Sequence, residues 1–157
     1  MTRELFIEFS KTKELENADF EMKTVIRKAV SAVLDYFDFW FPCEVSVTLC
    51  DNEYIHTLNK RFRNIDRATD VLSFPLYDDG DIPEEDKELG VILGDIVISL
   101  ERALEQAGEI GNTLHEEVAF LTVHSMLHLL GYDHERSKEE DELQCRLQRE
   151  IIKTVEF

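Results

Sequence analysis

Residues 113–134 read TLHEEVAFLTVHSMLHLLGYDH, and the rest of the chain has to be arranged around them. Thr113 followed three positions later by Glu116 is the capping-box pattern that opens a helix. Leu114, Val118, Ala119, Phe120, Leu121, Val123, Met126, Leu127, Leu129 and Leu130 then cover most of its circumference. Gly131 stands where a helix C′ residue belongs. A helix apolar nearly all round is a buried one.

The segments on either side supply what buries it. Residues 4–10 read as a strand. Residues 20–37 read as a helix, with Met22, Val25, Ile26, Ala29, Val33 and Phe37 at helical spacing. Residues 44–49 alternate strictly and predict a half-buried strand. Asp51 can cap the next helix, whose apolar positions are Tyr54, Ile55, Leu58 and Phe62. A short strand over 69–74 is stopped by Pro75, and residues 77–88, with Gly80, Pro83 and a run of acids, read as a loop. Residues 91–99 predict a strand in which Gly94 marks a bulge or a close backbone approach. A short helix over 100–106 ends near Gly108. Ser137 and Glu140 open a last helix with Leu143, Leu147, Ile151 and Val155 on one face. No repeat or linker interrupts the order, so strands mixed irregularly with helices predict a single α+β domain over residues 1–157.

Composition excludes several classes. The chain has 157 residues, 43% apolar and 32% charged, which is globular rather than disordered. No apolar run approaches the ~18 residues of a membrane span. Residues 1–5 alternate charge with apolarity and lack a signal-peptide core. Cys43, Cys50 and Cys145 are odd in number and form no C-x-x-C, so they read as ordinary thiols in a reducing compartment. Seventeen bases against 34 acids give a net charge of −17, which as an average argues against nucleic-acid binding. Partners feel the local field, however. Residues 78–88 hold seven acids against Lys87, a solvated acidic surface. Residues 60–67 hold four bases, Lys60, Arg61, Arg63 and Arg67, against Asp66, and form the only such cluster in the chain.

His124 and His128 are four residues apart, so on a helix their imidazoles stack on one face and reach one ion. Gly131 permits a sharp turn that brings His134 back toward them. Three nitrogen ligands with an open fourth position make the arrangement of catalytic zinc. The bland reading is three hydrogen-bonded core histidines. Two adjacent imidazoles in an apolar core are costly unless something pairs them, and a metal does. His56 and His115 have no comparable partners and read as surface or local contacts. The spacing also fits the metzincin protease signature H-E-x-x-H-x-x-G-x-x-H except at its second position, where Ser125 replaces the glutamate base. A serine cannot do that base's work near neutral pH. It can bond the carbonyl one turn back.

The stretch HSMLHLLGYDH closely resembles the signature of the YbeY family, bacterial metal-dependent endoribonucleases of ribosomal RNA maturation. Leu58-Asn59-Lys60-Arg61-Phe62-Arg63-Asn64-Ile65-Asp66, continuing through Thr69-Asp70-Val71-Leu72-Ser73-Phe74-Pro75, resembles a second block of that family, and Leu93-Gly94-Asp95-Ile96-Val97-Ile98-Ser99 a third. The acidic insert at 78–88 is longer than the family pattern. The resemblance implies an α+β domain, a small mixed sheet packed by helices around a central buried metal-binding helix. It implies His124, His128 and His134 as ligands of one zinc ion, other divalent transition metals being alternatives. It implies Arg63 as the catalytic-site arginine, a fixed fork that pairs with a phosphate.

Lys60, Arg61 and Arg67 would then hold flanking phosphates or be plain surface charge; on a helix Lys60 shares a face with Arg63 and Arg61 points elsewhere. The implied activity is single-strand-specific cleavage at the 3′ end of small-subunit ribosomal RNA and in ribosome quality control. Implied partners are ribosomal RNA, the small ribosomal subunit and ribosome-associated proteins in the cytoplasm, with no membrane. The nucleophile is metal-bound water or the RNA 2′-hydroxyl, and Asp133 and Asp95 are proton acceptors or histidine-orienting groups. Two other classes compete: a metalloprotease-like hydrolase on the same cage, and a non-catalytic ribosome-assembly factor with structural zinc.

Overall fold

The computed structural model describes residues 3–12 and 20–157. In chain order the elements are β1 (Leu5–Lys11), α1 (Phe20–Tyr36), β2 (Cys43–Cys50), α2 (Asn52–Arg63), β3 (Val71–Pro75), α3 (Glu84–Leu89), β4 (Val91–Ser99), α4 (Leu100–Ile110), α5 (Leu114–Leu129) and α6 (Lys138–Ile152). The strands lie side by side as β1-β2-β4-β3. The first three are parallel and β3 runs antiparallel at the edge. The expected α+β fold with a small mixed sheet is therefore borne out.

Alternation along the strands sorts the two faces. Ile7, Val45, Val47, Leu49, Ile96 and Ile98 share the inner face and join the main core with residues of α1, α5 and α6. Cys50, Leu72 and Val97 lie on the outer face, where Ile55 of α2 covers them in a smaller cluster. Between Ile92 and Gly94 the register against β2 slips by one residue, leaving Leu93 without a partner. Such a bulge flips the side chains that follow to the opposite face. It sets Asp95 opposite Ser46 and Phe74 on the outer face, and it aligns Ser73 with inner-facing Ile96. Gly94 is also the close approach its position predicts: φ is +144°, and a Cβ there would lie 2.3 Å from the carbonyl oxygen of Phe74.

α5 is the centre of the layer packed on that inner face and touches α1, α4, α6, β3 and β4. Its capping box is formed, with Thr113 and Glu116 each bonding the other's backbone N–H. Val118, Ala119, Val123, Met126 and Leu127 are fully buried, while Phe120 keeps partial exposure. Gly131 follows with φ +101°, and a Cβ there would sit 2.5 Å from the Asp79 carbonyl. The turn after α5 thus packs backbone to backbone against the acidic segment.

That segment departs from the expected loop. It holds a 3-10 turn at Asp78–Gly80 and then α3. Glu84, Glu85 and Asp86 occupy the first turn of α3, Lys87 its last, and Gly90 its C-cap, charges that the helix dipole favours at each end. α4 also outruns its expected end near Gly108. Nothing lies within 4 Å of a Cβ at Gly108, so the helix continues to Ile110 and stops at Gly111, whose φ of +77° caps it. Asp51 and Ser137 cap α2 and α6 as expected. All three cysteines are free, with Cys43 and Cys50 buried. Among the described residues no helix is long and apolar enough to cross a membrane.

Candidate active site

Helix periodicity carries His124 and His128 to one side of α5, one turn apart, with ring centroids 5.9 Å from each other. The chain leaves the helix at Leu130, turns at Gly131 and returns. The His134 ring then lies 5.1 Å from that of His124 and 5.6 Å from that of His128. Asp133 shapes this return. Its Oδ1 accepts the backbone N–H of Glu135 at 2.9 Å, and its Oδ2 lies 3.5 Å from Nε of Arg136. Arg136 also pairs with Asp79, which ties the return to the 3-10 turn.

One nitrogen from each of the three histidines lies within 4.8 Å of the other two. Nδ1 of His124 is 2.7 Å from Oε1 of Gln148 on α6. A carboxamide oxygen only accepts, so Nδ1 carries the proton and Nε2 keeps its lone pair. Gln148 is buried, as is Gln144, whose amide Nε2 donates to the His124 carbonyl at 3.4 Å. Burial pushes the pKa of His124 and of His128 down, and the neighbouring imidazoles push in the same direction, so both are neutral at pH 7. Nδ1 of His134 is buried with no hydrogen-bond partner. Two neutral imidazoles and a third with an orphaned buried nitrogen fit a transition-metal ion.

Arg63 ends α2. Asn64 stops the helix with φ 58°, and Nη2 of Arg63 crosses to Oε1 of Glu135 at 3.3 Å. Arg63, Ser73, Glu135 and the three histidines share one cleft of ≈ 220 Å³. Beneath it the Ser73 and Ser125 hydroxyls bond each other. A helical serine can bond the carbonyl one turn back, and here Ser125 pairs with Ser73. The bulge in β4 turns Ser73 toward α5 and offers the hydroxyl a closer partner.

The other bases of the run lie elsewhere. Lys60 and Arg61 line a separate hollow with His56 and Asp66, where Nε2 of His56 is 2.7 Å from Oδ1 of Asp66. Arg67 is exposed beyond the helix, and its carbonyl accepts from the buried Asn59 amide at 2.9 Å. Of the four bases, only Arg63 lines the histidine cleft. Asp95 stands on the far face of the sheet, exposed, and cannot orient the histidines. Asp133 stays near the cage, with Oδ1 4.0 Å from Nε2 of His128.

Four residues of the site are not found by reading the histidines and the basic run alone. Glu135 follows a ligand candidate and reads as one more surface acid. Ser73 lies in a strand whose register depends on the bulge. Gln144 and Gln148 are four apart on α6 beside the apolar Leu143 and Leu147, a polar pair inside an apolar stripe and the one signal that marked them.

This arrangement sets a cation-ready nitrogen cage beside a fixed guanidinium, the two groups that anionic phosphoryl chemistry uses. Comparisons with known proteins point the same way. A family model described as Endoribonuclease YbeY matches residues 7–156. A protein named Endoribonuclease YbeY from Thermoanaerobacter sp. (strain X514) is 48% identical over 139 residues, covering 80% of this chain and 87% of that one. Its namesake from Acetivibrio thermocellus is 41% identical over 159 residues, covering 97% of this chain and 96% of that one. The solution structure of TM1509 from Thermotoga maritima aligns with a TM-score of 0.52 at 30% identity, over 94% of this chain and 88% of that one.

Proposed function

Taking as premise that the chain belongs to the Endoribonuclease YbeY family, we propose that it cleaves single-stranded RNA, using a metal held by His124, His128 and His134 and a phosphate clamp at Arg63. The observation that carries the reading is the shared cleft, which sets Arg63 and three converging imidazoles around one small volume. Zinc is the proposed ion, because three histidine nitrogens with an open position suit it. When bound it would supply a Lewis acid and a water of lowered pKa.

The protein's own residues do the rest. Gln148 holds His124 in the tautomer that presents Nε2. Asp133 and Arg136 hold the turn that presents His134. Arg63 would pair with a phosphate oxygen and offset the negative charge that builds during cleavage. A phosphate would compete with Glu135 for that guanidinium, so the carboxylate keeps Arg63 extended over the cleft until substrate arrives. Lys60, Arg61 and Arg67 would meet phosphates further along the strand.

The proposed substrate is the 3′ end of small-subunit ribosomal RNA, handled by one domain over residues 1–157 in the cytoplasm, together with roles in ribosome quality control. The small subunit and ribosome-associated proteins are the proposed partners. Glu135 also favours a second reading, since a carboxylate at the rim is what a metalloprotease-like hydrolase needs. One experiment separates the three readings: the metal-loaded protein is given a precursor of the small-subunit 3′ end, free and within the subunit, and separately a denatured protein. Cleavage mapped to single-stranded RNA near that end, with the denatured protein left intact, is expected. Peptide cleavage would replace this reading with the protease. Inertness toward both, with metal bound, would leave an assembly factor with structural zinc.

A further inference from the structure

Phe62 stands one residue before Arg63, in the last turn of α2, and is 58% exposed. The apolar stripe of α2 begins well buried at Ile55 and runs out over the sheet edge at Phe62. Phe74 meets the Phe62 ring nearly edge to face, with centroids 5.5 Å apart and planes at 71°. Phe74 follows Ser73 on edge strand β3 and faces the outer side of the sheet, so the ring pair lies across that edge strand from the histidine cleft. The Arg61 guanidinium lies over the Phe62 ring, 5.2 Å from its centroid. A lone exposed aromatic requires no explanation. This one is propped by a second ring, covered by a cation, and set about 3.8 Å at Cα from the residue that clamps phosphate.

We propose that Phe62 is a stacking platform for one base of the RNA strand whose phosphate Arg63 holds, with Phe74 supporting the ring and Arg61 adding a cation beside it. The inference rests on the nuclease reading and extends it to the substrate's bases. Bases present a π-face whatever their sequence, so the platform tolerates sequence. Paired bases in an A-form helix are already stacked and out of reach, whereas splayed bases of single strands lie open to aromatic side chains. The platform would therefore itself select single-stranded RNA, and Arg61 acquires a role although it lies outside the cleft.

The test is equilibrium binding of a short single-stranded RNA whose 2′-O-methyl sugars remove the 2′-hydroxyl nucleophile, with the strand checked on a gel to be intact after each titration. Partners are the metal-loaded parent, Phe62→Leu, Phe62→Trp and Arg63→Ala, each checked by melting temperature. Phe62→Leu keeps apolar contact with Phe74 but removes the π-face, so it is expected to bind about tenfold more weakly, while Phe62→Trp binds like the parent. In the parent, removing one base at a single position of the strand should reproduce the Phe62→Leu loss, and the two losses should not add. Parent-like binding by Phe62→Leu, with Arg63→Ala still weakened, would overturn the platform and leave the nuclease reading standing. Failure of the parent to bind the RNA at all would overturn both.

Discussion

A buried carboxamide decides which nitrogen of His124 faces the cage. Gln148 accepts from Nδ1, so Nε2 is left to a metal, and the partner is neutral where many metal-bound histidines have a carboxylate. Gln148→Leu is expected to weaken metal affinity by about 10–100-fold while the protein stays folded, as measured by competition with a chelator. Unchanged affinity would mean that the tautomer is set elsewhere. The cysteines are a second residue-scale case. Burial pushes the Cys43 thiol up to about 11 and the Cys50 thiol up to about 12. Unfolded thiols ionise near ~8.5, so above that pH the unfolded chain sheds protons that the folded chain keeps, and stability falls as pH rises toward 11. Below pH ~8 these thiols contribute no slope. At pH 8 a disulfide reagent should label only Cys145 quickly and reach the other two only after unfolding. Spacing alone made the three histidines legible, because i, i+4 followed by glycine and a third histidine is a geometric statement. Gln148 and Glu135 were not legible in that way, because their roles arise from contacts with a distant helix.

At the scale of elements, α5 can carry ligands because everything around it is packed. Its end is fixed by the meeting of Gly131 with the carbonyl of Asp79. Gly131→Ala would place a methyl where no room exists and force an L-residue to positive φ, at a cost of at least ~2 kcal/mol. The expected drop in melting temperature is about 5 °C or more, with metal affinity falling as well because His134 follows the turn. A melting temperature within a degree of the parent would contradict that tight contact. The same meeting gives the acidic insert a structural part, since it buttresses the histidine turn through Gly131 and the Arg136–Asp79 pair. α3 was hidden because a dense run of acids reads as solvated surface. Its signals were nonetheless in the chain: Pro83, three acids, Lys87, then Gly90. The end of α4 was misplaced for the opposite reason, because a glycine facing open space, Gly108, does not have to stop a helix.

Over the whole molecule, charge organises what the fold presents. A net charge of −17 repels a polyanion on average, and the run from Lys60 to Arg67 is a local departure from that average. RNA binding should therefore be narrow and salt-sensitive, its log affinity falling with log salt by about 0.7 for each phosphate neutralised. Arg63→Ala is expected to make that slope shallower by about 0.7, and Lys60→Ala by a similar amount if Lys60 also meets a phosphate. A slope untouched by Arg63→Ala would move the phosphate site elsewhere. The class of the fold and the position of its buried helix could be read in advance, because apolar periodicity is a local property. The slipped register of β4, which decides that Ser73 and not Asp95 faces the site, was out of reach, since a bulge is settled by both strands together.

The most direct measurement is cleavage of a single-stranded RNA by the parent and by Arg63→Ala, purified identically and matched for fold and metal content. The expected result is cutting by the parent and a loss of at least about a hundredfold in the variant, since the guanidinium acts on charge that develops in the reaction. Equal cutting by both would contradict the assignment of this cleft as the site of phosphodiester cleavage.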